Sequence, residues 1–204
     1  IEVFEFPSLF QVAELRLNTV SIPLIYAKIK WLLKELRKPN ARGSSEVLWS
    51  FERNGVGEAL VAMIQNDESA DGGVWLDGVD LYSDHPQRLG VHTTGKSKLV
   101  TCMQLKGLVE RINNQIQVNS EHLLFELKNF VSAGGSYAAK SGATDDCVMA
   151  TNVVMKLITR LSEYDMQARS MVYENVAADS DSIREAHLGP LDSFGDEPVP
   201  FLIN

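Results

Sequence analysis

The apolar residues of this chain change period at Ile22. Before it, residues 1–6 (IEVFEF) and 10–17 (FQVAELRL) alternate apolar with polar or acidic positions on either side of a Pro7-Ser8 turn. That two-residue period predicts an antiparallel hairpin. After it, Ile22, Ile25, Ile29, Leu32, Leu33 and Leu36 recur at the spacing of one helix face, with Lys28, Lys30, Lys34, Arg37 and Lys38 mostly off that face. Pro39, Asn40 and Gly43 end the helix. The alternation then repeats. Residues 46–52 (EVLWSFE) form a short apolar run suited to a buried strand, residues 53–57 (RNGVG) turn it, and residues 57–65 (GEALVAMIQ) are helical. A chain that switches between these periods mixes strands and helices, so the expected class is α/β.

Further along, residues 72–84 predict a small hairpin around Asp77-Gly78. Leu105, Leu108, Val109 and Ile112 mark another helix, and residues 115–118 a short strand. Ser120 is placed to cap a helix carrying Leu123, Leu124, Leu127, Phe130 and Val131. Gly134-Gly135 breaks the chain before a long helix over about residues 145–162, built on Ala150, Val153, Val154, Leu157 and Leu161. No internal repeat and no low-complexity segment interrupts this order.

A length of 204 residues suffices for one domain with a sizeable core. No apolar run approaches the roughly 20 residues of a membrane span. Two cysteines, Cys102 and Cys147, are too few for a disulfide framework and predict thiols in a reducing compartment. The N-terminal IEVFEF has neither an initiator Met nor the pattern of a signal peptide, so the chain reads as part of something longer. A net charge of -8 argues against nucleic acid only until its distribution is examined. Residues 163–204 hold nine Asp/Glu and two Arg, so residues 1–162 are left at -1 and can present a basic face. The expected division is a folded domain over residues 1–162 and an acidic extension over 163–204.

Residues 90–97 (GVHTTGKS) satisfy the phosphate-loop pattern through Gly90, Gly95, Lys96 and Ser97. That loop needs a buried strand before it and a helix after it. Residues 84–93 (DHPQRLGVHT) contain a proline, an arginine and two histidines but no apolar run. The expectation is a polar loop entering a helix near Lys98, and a P-loop NTPase stands only as a rival reading. His85, His92, His122 and His187 have no zinc-ligand spacing.

The order of elements, together with the stretches "AELRLNT", "VLWSFERNGVGEALVAMI", "GVHTTGKSK" and "FVSAGGSYAAKSGATDDCVMA", resembles the C-terminal nuclease domain of the large terminase subunit of tailed bacteriophages, the T-even-like group in particular. The resemblance spans about residues 1–162. It implies an RNase H-like (RuvC/integrase-type) mixed sheet flanked by helices, and an endonuclease that cuts concatemeric viral DNA during packaging. Such an enzyme works with two Mg²⁺ or Mn²⁺ ions held by carboxylates. It also implies double-stranded DNA, a terminase ATPase domain, the portal and the small terminase subunit as partners, and action in the host cytoplasm on the procapsid, with no membrane involved.

On this resemblance Glu52, Asp145 and Asp146 are the catalytic and metal-holding carboxylates, with Asp146 the nearer ligand and Asp145 assisting. Lys96, Lys98 and Arg53 are the DNA-binding cations. Each has an ordinary reading as well. Glu52 can be a surface acid at a loop. Asp145 and Asp146 can favour a helix dipole behind a Thr144 cap, and the lysines can be solvated. One departure is large: the family's first strand, central in its sheet and carrying an Asp, has no counterpart here. Either residues precede Ile1 or Glu2 or Glu5 does an unfamiliar job, and the former is the expectation. Another nuclease or resolvase of this fold, and a non-catalytic DNA- or portal-binding module, remain rival functions.

Overall fold

The computed structural model describes residues 1–38, 46–67, 77–110 and 116–162, with the backbone of 199–200. The chain is mixed α/β, and the strands among the described residues fall into three separate small sheets. It divides into two compact units, one formed by Ile1–Leu15 and Thr94–Asn204, the other by Arg16–Thr93. The acidic extension lies outside the described residues, apart from a two-residue strand at its end. Among the described residues, no helix is long and apolar enough to cross a membrane.

The first unit begins with the expected hairpin, β1 (Glu2–Glu5) antiparallel to β2 (Phe10–Glu14), with a bulge between Val3 and Phe4. On its other side β2 meets Gln117 in a parallel bridge, where Gln117 N donates to Leu9 O and Gln11 N donates to Gln117 O. The helices are α3 (Gly95–Glu110), α4 (Glu121–Asn129) and α5 (Asp146–Ser162). Leu9, Leu105, Leu108, Leu123, Leu127, Phe130, Val148, Met155 and Ile158 pack as one core, with Phe4 and Phe6 of the hairpin against it.

Ser120 caps α4 as expected, its hydroxyl accepting from Leu123 N at 3.0 Å. The helix is shorter than the apolar spacing predicts. It ends at Asn129, and Phe130–Ala133 is strand β5, hairpinned to β6 (Ser136–Ala139) across Gly134 and Gly135. Phe130 and Val131 continue the apolar stripe of α4 but are buried from the strand instead. A short aromatic and β-branched run fits either period, and the paired glycine turn decides the matter. Strand β7 (Val199–Pro200) pairs with the other side of β5.

In the second unit α1 (Ile22–Leu36) begins where the period changes, with Pro23 in its first turn, and buries Tyr26, Ile29 and Leu33. These pack with Trp49, Leu60, Ile64 and Val79. Strand β3 (Val47–Trp49), helix α2 (Val56–Gln65) and strand β4 (Val79–Leu81) follow. β4 runs parallel to β3, Val47 opposite Val79 and Trp49 opposite Leu81. The predicted hairpin over residues 72–84 is thereby corrected in its second arm, and its first arm lies outside the described residues. Val79 is fully buried, and pairing with β3 buries it where an isolated hairpin would leave it wet.

Candidate carboxylate sites

Glu52 sits where β3 runs out. Beyond Trp49 the chain stays extended, and Glu52 bridges Val91 in parallel: Val91 N donates to Phe51 O at 2.9 Å and Arg53 N donates to Val91 O at 2.8 Å. Helix α2 then starts so close that a Cβ on Gly57 would lie 1.9 Å from the Glu52 carbonyl oxygen. Gly90 is equally constrained, with φ +74° and a Cβ position 2.8 Å from Phe51 O. Two glycines thus press on the backbone around Glu52. The side chain is half-buried, and its carboxylate has no hydrogen bond or ion pair among the described residues.

Arg53, the neighbouring cation, is 7% exposed. Its Nη1 lies 3.8 Å from Asp84 Oδ1 and donates to the carbonyls of Arg88 and Leu89 at 3.4 Å each. It holds the 84–91 loop, and that loop supplies Val91 to the Glu52 bridge.

The other sequence candidates lie in the first unit. Helix α3 starts at Gly95, three residues before the expected Lys98, because Thr94 and Ser97 cap it reciprocally. Ser97 N donates to Thr94 Oγ1 at 3.1 Å, and Thr94 N donates to Ser97 Oγ at 2.9 Å. This is a capping box with a serine in the usual acid's place. Lys96 is exposed in that first turn. Lys98 is half-buried, its Nζ 3.4 Å from Asp145 Oδ2 and 5.6 Å from the centre of the Phe130 ring.

Asp145 and Asp146 open α5, and the way that helix is capped is the feature the sequence concealed. Glu126, from α4, is 2% exposed and reaches into the first turn. Its Oε2 accepts from Cys147 N at 2.7 Å and Val148 N at 3.1 Å, and its Oε1 accepts from the Thr144 hydroxyl at 2.9 Å. Thr144, the expected cap, is therefore a donor to the real one. Capping by a carboxylate from another helix leaves the two aspartates without that task. Asp145 turns to Lys98. Asp146 is exposed, with no partner among the described residues. Glu126 could have been found: Leu123, Glu126, Leu127 and Phe130 share one helical face, and an acid on an apolar stripe needs a buried partner.

A second carboxylate group was also missed. One donor atom each from Glu2, Glu14 and Cys147 lies within 4.8 Å of the other two. Gln11 Nε2 donates to Glu2 Oε2 at 2.6 Å, and His122 Nδ1 lies 3.2 Å from Glu14 Oε1. The remaining oxygens, Glu2 Oε1 and Glu14 Oε2, are buried with no nitrogen or oxygen donor among the described residues, and the Cys147 thiol hydrogen-bonds Glu2. Burial pushes the Glu2 carboxyl up to about 7, against the lowering effect of Gln11, with Glu14 adding a smaller upward push. Gln11 is itself buried and fully used: its Oε1 accepts from Asn119 N and Ser120 N, and its backbone oxygen accepts from Asn119 Nδ2. The signal was the period of β1, which puts Glu2 on the same inward face as Phe4 and Phe6.

Of the sequence candidates, Asp145 and Lys98 are brought into direct contact. Glu52 and Arg53 belong to the other compact unit. No protein-family model matches the chain, and no curated protein matches it.

Proposed function

We propose that the chain is a metal-dependent DNA endonuclease of RNase H-like type, of the kind that cuts concatemeric viral DNA during genome packaging. The observation that carries this reading is the capping of α5 by Glu126. An aspartate at the start of a helix ordinarily caps it or complements its dipole. Here a buried glutamate takes the first-turn N–H groups, which leaves Asp146 exposed at the helix start beside Asp145, whose partner is Lys98. Adjacent like charges repel, and a dication offsets that repulsion. Glu52, just beyond β3 on a backbone that two glycines constrain, is the further carboxylate that the resemblance assigns to the chemistry.

The donors are oxygens only, which fits Mg²⁺ or Mn²⁺. Asp145 and Asp146 would hold such an ion, and ions of this kind activate water and stabilise a leaving oxygen in phosphodiester hydrolysis. Lys98 pairs with Asp145 in the absence of nucleic acid and is free to exchange that partner for a backbone phosphate. Lys96, exposed in the same turn, adds a second phosphate contact. Such contacts position DNA without reading its sequence, as suits an enzyme with little cut-site preference.

The test is cleavage of plasmid DNA in Mg²⁺ or Mn²⁺ by the chain expressed with any residues that precede Ile1. Activity should vanish in chelator. Glu52→Gln keeps the volume and removes one charge, so the fold should survive while cleavage falls by orders of magnitude. A folded Glu52→Gln protein that cuts at the wild-type rate refutes the reading.

A further inference from the structure

We propose that Glu2, Glu14 and Cys147 form a second, structural divalent-cation site that takes Zn²⁺ and ties the N-terminal hairpin to the first turn of α5. The donors come from three elements, β1, β2 and α5, all within one compact unit. Their donor atoms converge within 4.8 Å. Cys147 is 4% exposed.

The independent observation is the pair of orphaned oxygens. Each carboxylate is gripped at one oxygen, Glu2 by Gln11 and Glu14 by His122, while its other oxygen is sealed from solvent with no nitrogen or oxygen donor, and the Cys147 thiol hydrogen-bonds Glu2. Leaving one buried acceptor unsatisfied costs about 1–3 kcal/mol, and more for a charged group. Two such atoms beside a buried thiol call for a cation or a proton. Outer hydrogen bonds that hold one oxygen and aim the other are the usual support of a ligating carboxylate.

A sulfur donor decides the metal class. Mg²⁺ and Ca²⁺ take oxygen, whereas Zn²⁺ combines thiolate with carboxylate and completes a tetrahedron with water. On binding, the Cys147 thiol loses its proton to solvent as the S–Zn bond forms, and any proton on Glu2 leaves likewise. The ion would sit one residue from Asp146 along the chain, so its role is to fix the start of α5. The proposal does not rest on the nuclease reading.

Co²⁺ replaces Zn²⁺ as a visible probe, because a thiolate–cobalt bond gives a charge-transfer absorption. Titrating the purified chain with Co²⁺ should produce that band at one equivalent, and Zn²⁺ but not Mg²⁺ should bleach it. Cys147→Ser should abolish the band. Glu2→Gln and Glu14→Gln should each weaken binding about tenfold or more. Cys102→Ser and Glu52→Gln should leave the band intact, separating this site from the other buried thiol and from the proposed catalytic acids. A folded wild-type chain with no band overturns the proposal. So does a band that survives Cys147→Ser, or, should that variant not fold, unchanged affinity in both glutamine variants.

Discussion

Replacing Glu126 with alanine should cost the first unit about 4 kcal/mol. The Cys147 and Val148 amides lose their acceptor inside a core, at about 1–3 kcal/mol each. The emptied volume adds a smaller cavity cost. The Thr144 hydroxyl sits on an exposed residue and can turn to water. Glu126→Gln behaves differently. Its amide oxygen can take the place of Oε2, and its NH₂ can donate to Thr144, which then serves as acceptor. Only the charge facing the helix dipole is lost, worth about 1 kcal/mol. Urea denaturation followed by circular dichroism separates the two, since a domain's whole stability is about 5–15 kcal/mol. The order Gln close to wild type and Ala far below it is expected. An alanine variant within 1 kcal/mol of wild type, or a glutamine variant as damaged as alanine, would refute the capping argument.

Three further outcomes follow from the same geometry. In chelator, stability should fall as pH rises from about 4.5 through about 7, because Glu2 is raised in the folded chain and its stabilising protonated form is lost over that range. The full difference would be worth about 3 kcal/mol; screening of a half-buried group reduces it to about 1–2, and thermal melts of Glu2→Gln should show a flatter pH profile. Gly57→Ala drives a methyl into the Glu52 carbonyl, so it should lower the melting temperature of the second unit by several degrees, and a melt unchanged from wild type would contradict the close approach. Lys98→Ala should weaken DNA binding and reduce its log–log salt slope by about one, whereas an unaltered slope would remove Lys98 from the phosphate path.

The elements with a long clean period were legible. The hairpin, α1 and α5 lie where their apolar spacing puts them, and Ser120 caps α4 as its position requires. Phe130 and Val131 were misplaced because so short a run fits a helix face and a strand equally well. The parallel pairing of β4 was hidden because local turn chemistry at Asp77-Gly78 says nothing of a partner some 30 residues back. Acids were legible when they sat at element ends, as Glu52 and Asp146 do. Glu126 and Glu14 were overlooked, and Glu2 was named without its partners, because the groups they meet on other elements leave no local pattern in the sequence.

Gln11 ties the N-terminal hairpin to a turn more than a hundred residues away. The hairpin of β1 and β2 is local and can close within microseconds. The amide oxygen of its buried glutamine, however, is satisfied by Asn119 and Ser120, 108 and 109 positions away. Until the chain has brought that turn home, Gln11 has water for its acceptors, and the hairpin gains nothing by docking dry. Docking the hairpin dry therefore requires a long-range closure that satisfies one amide side chain. Gln11→Leu should remove that requirement and leave the Asn119 and Ser120 amides without their acceptor.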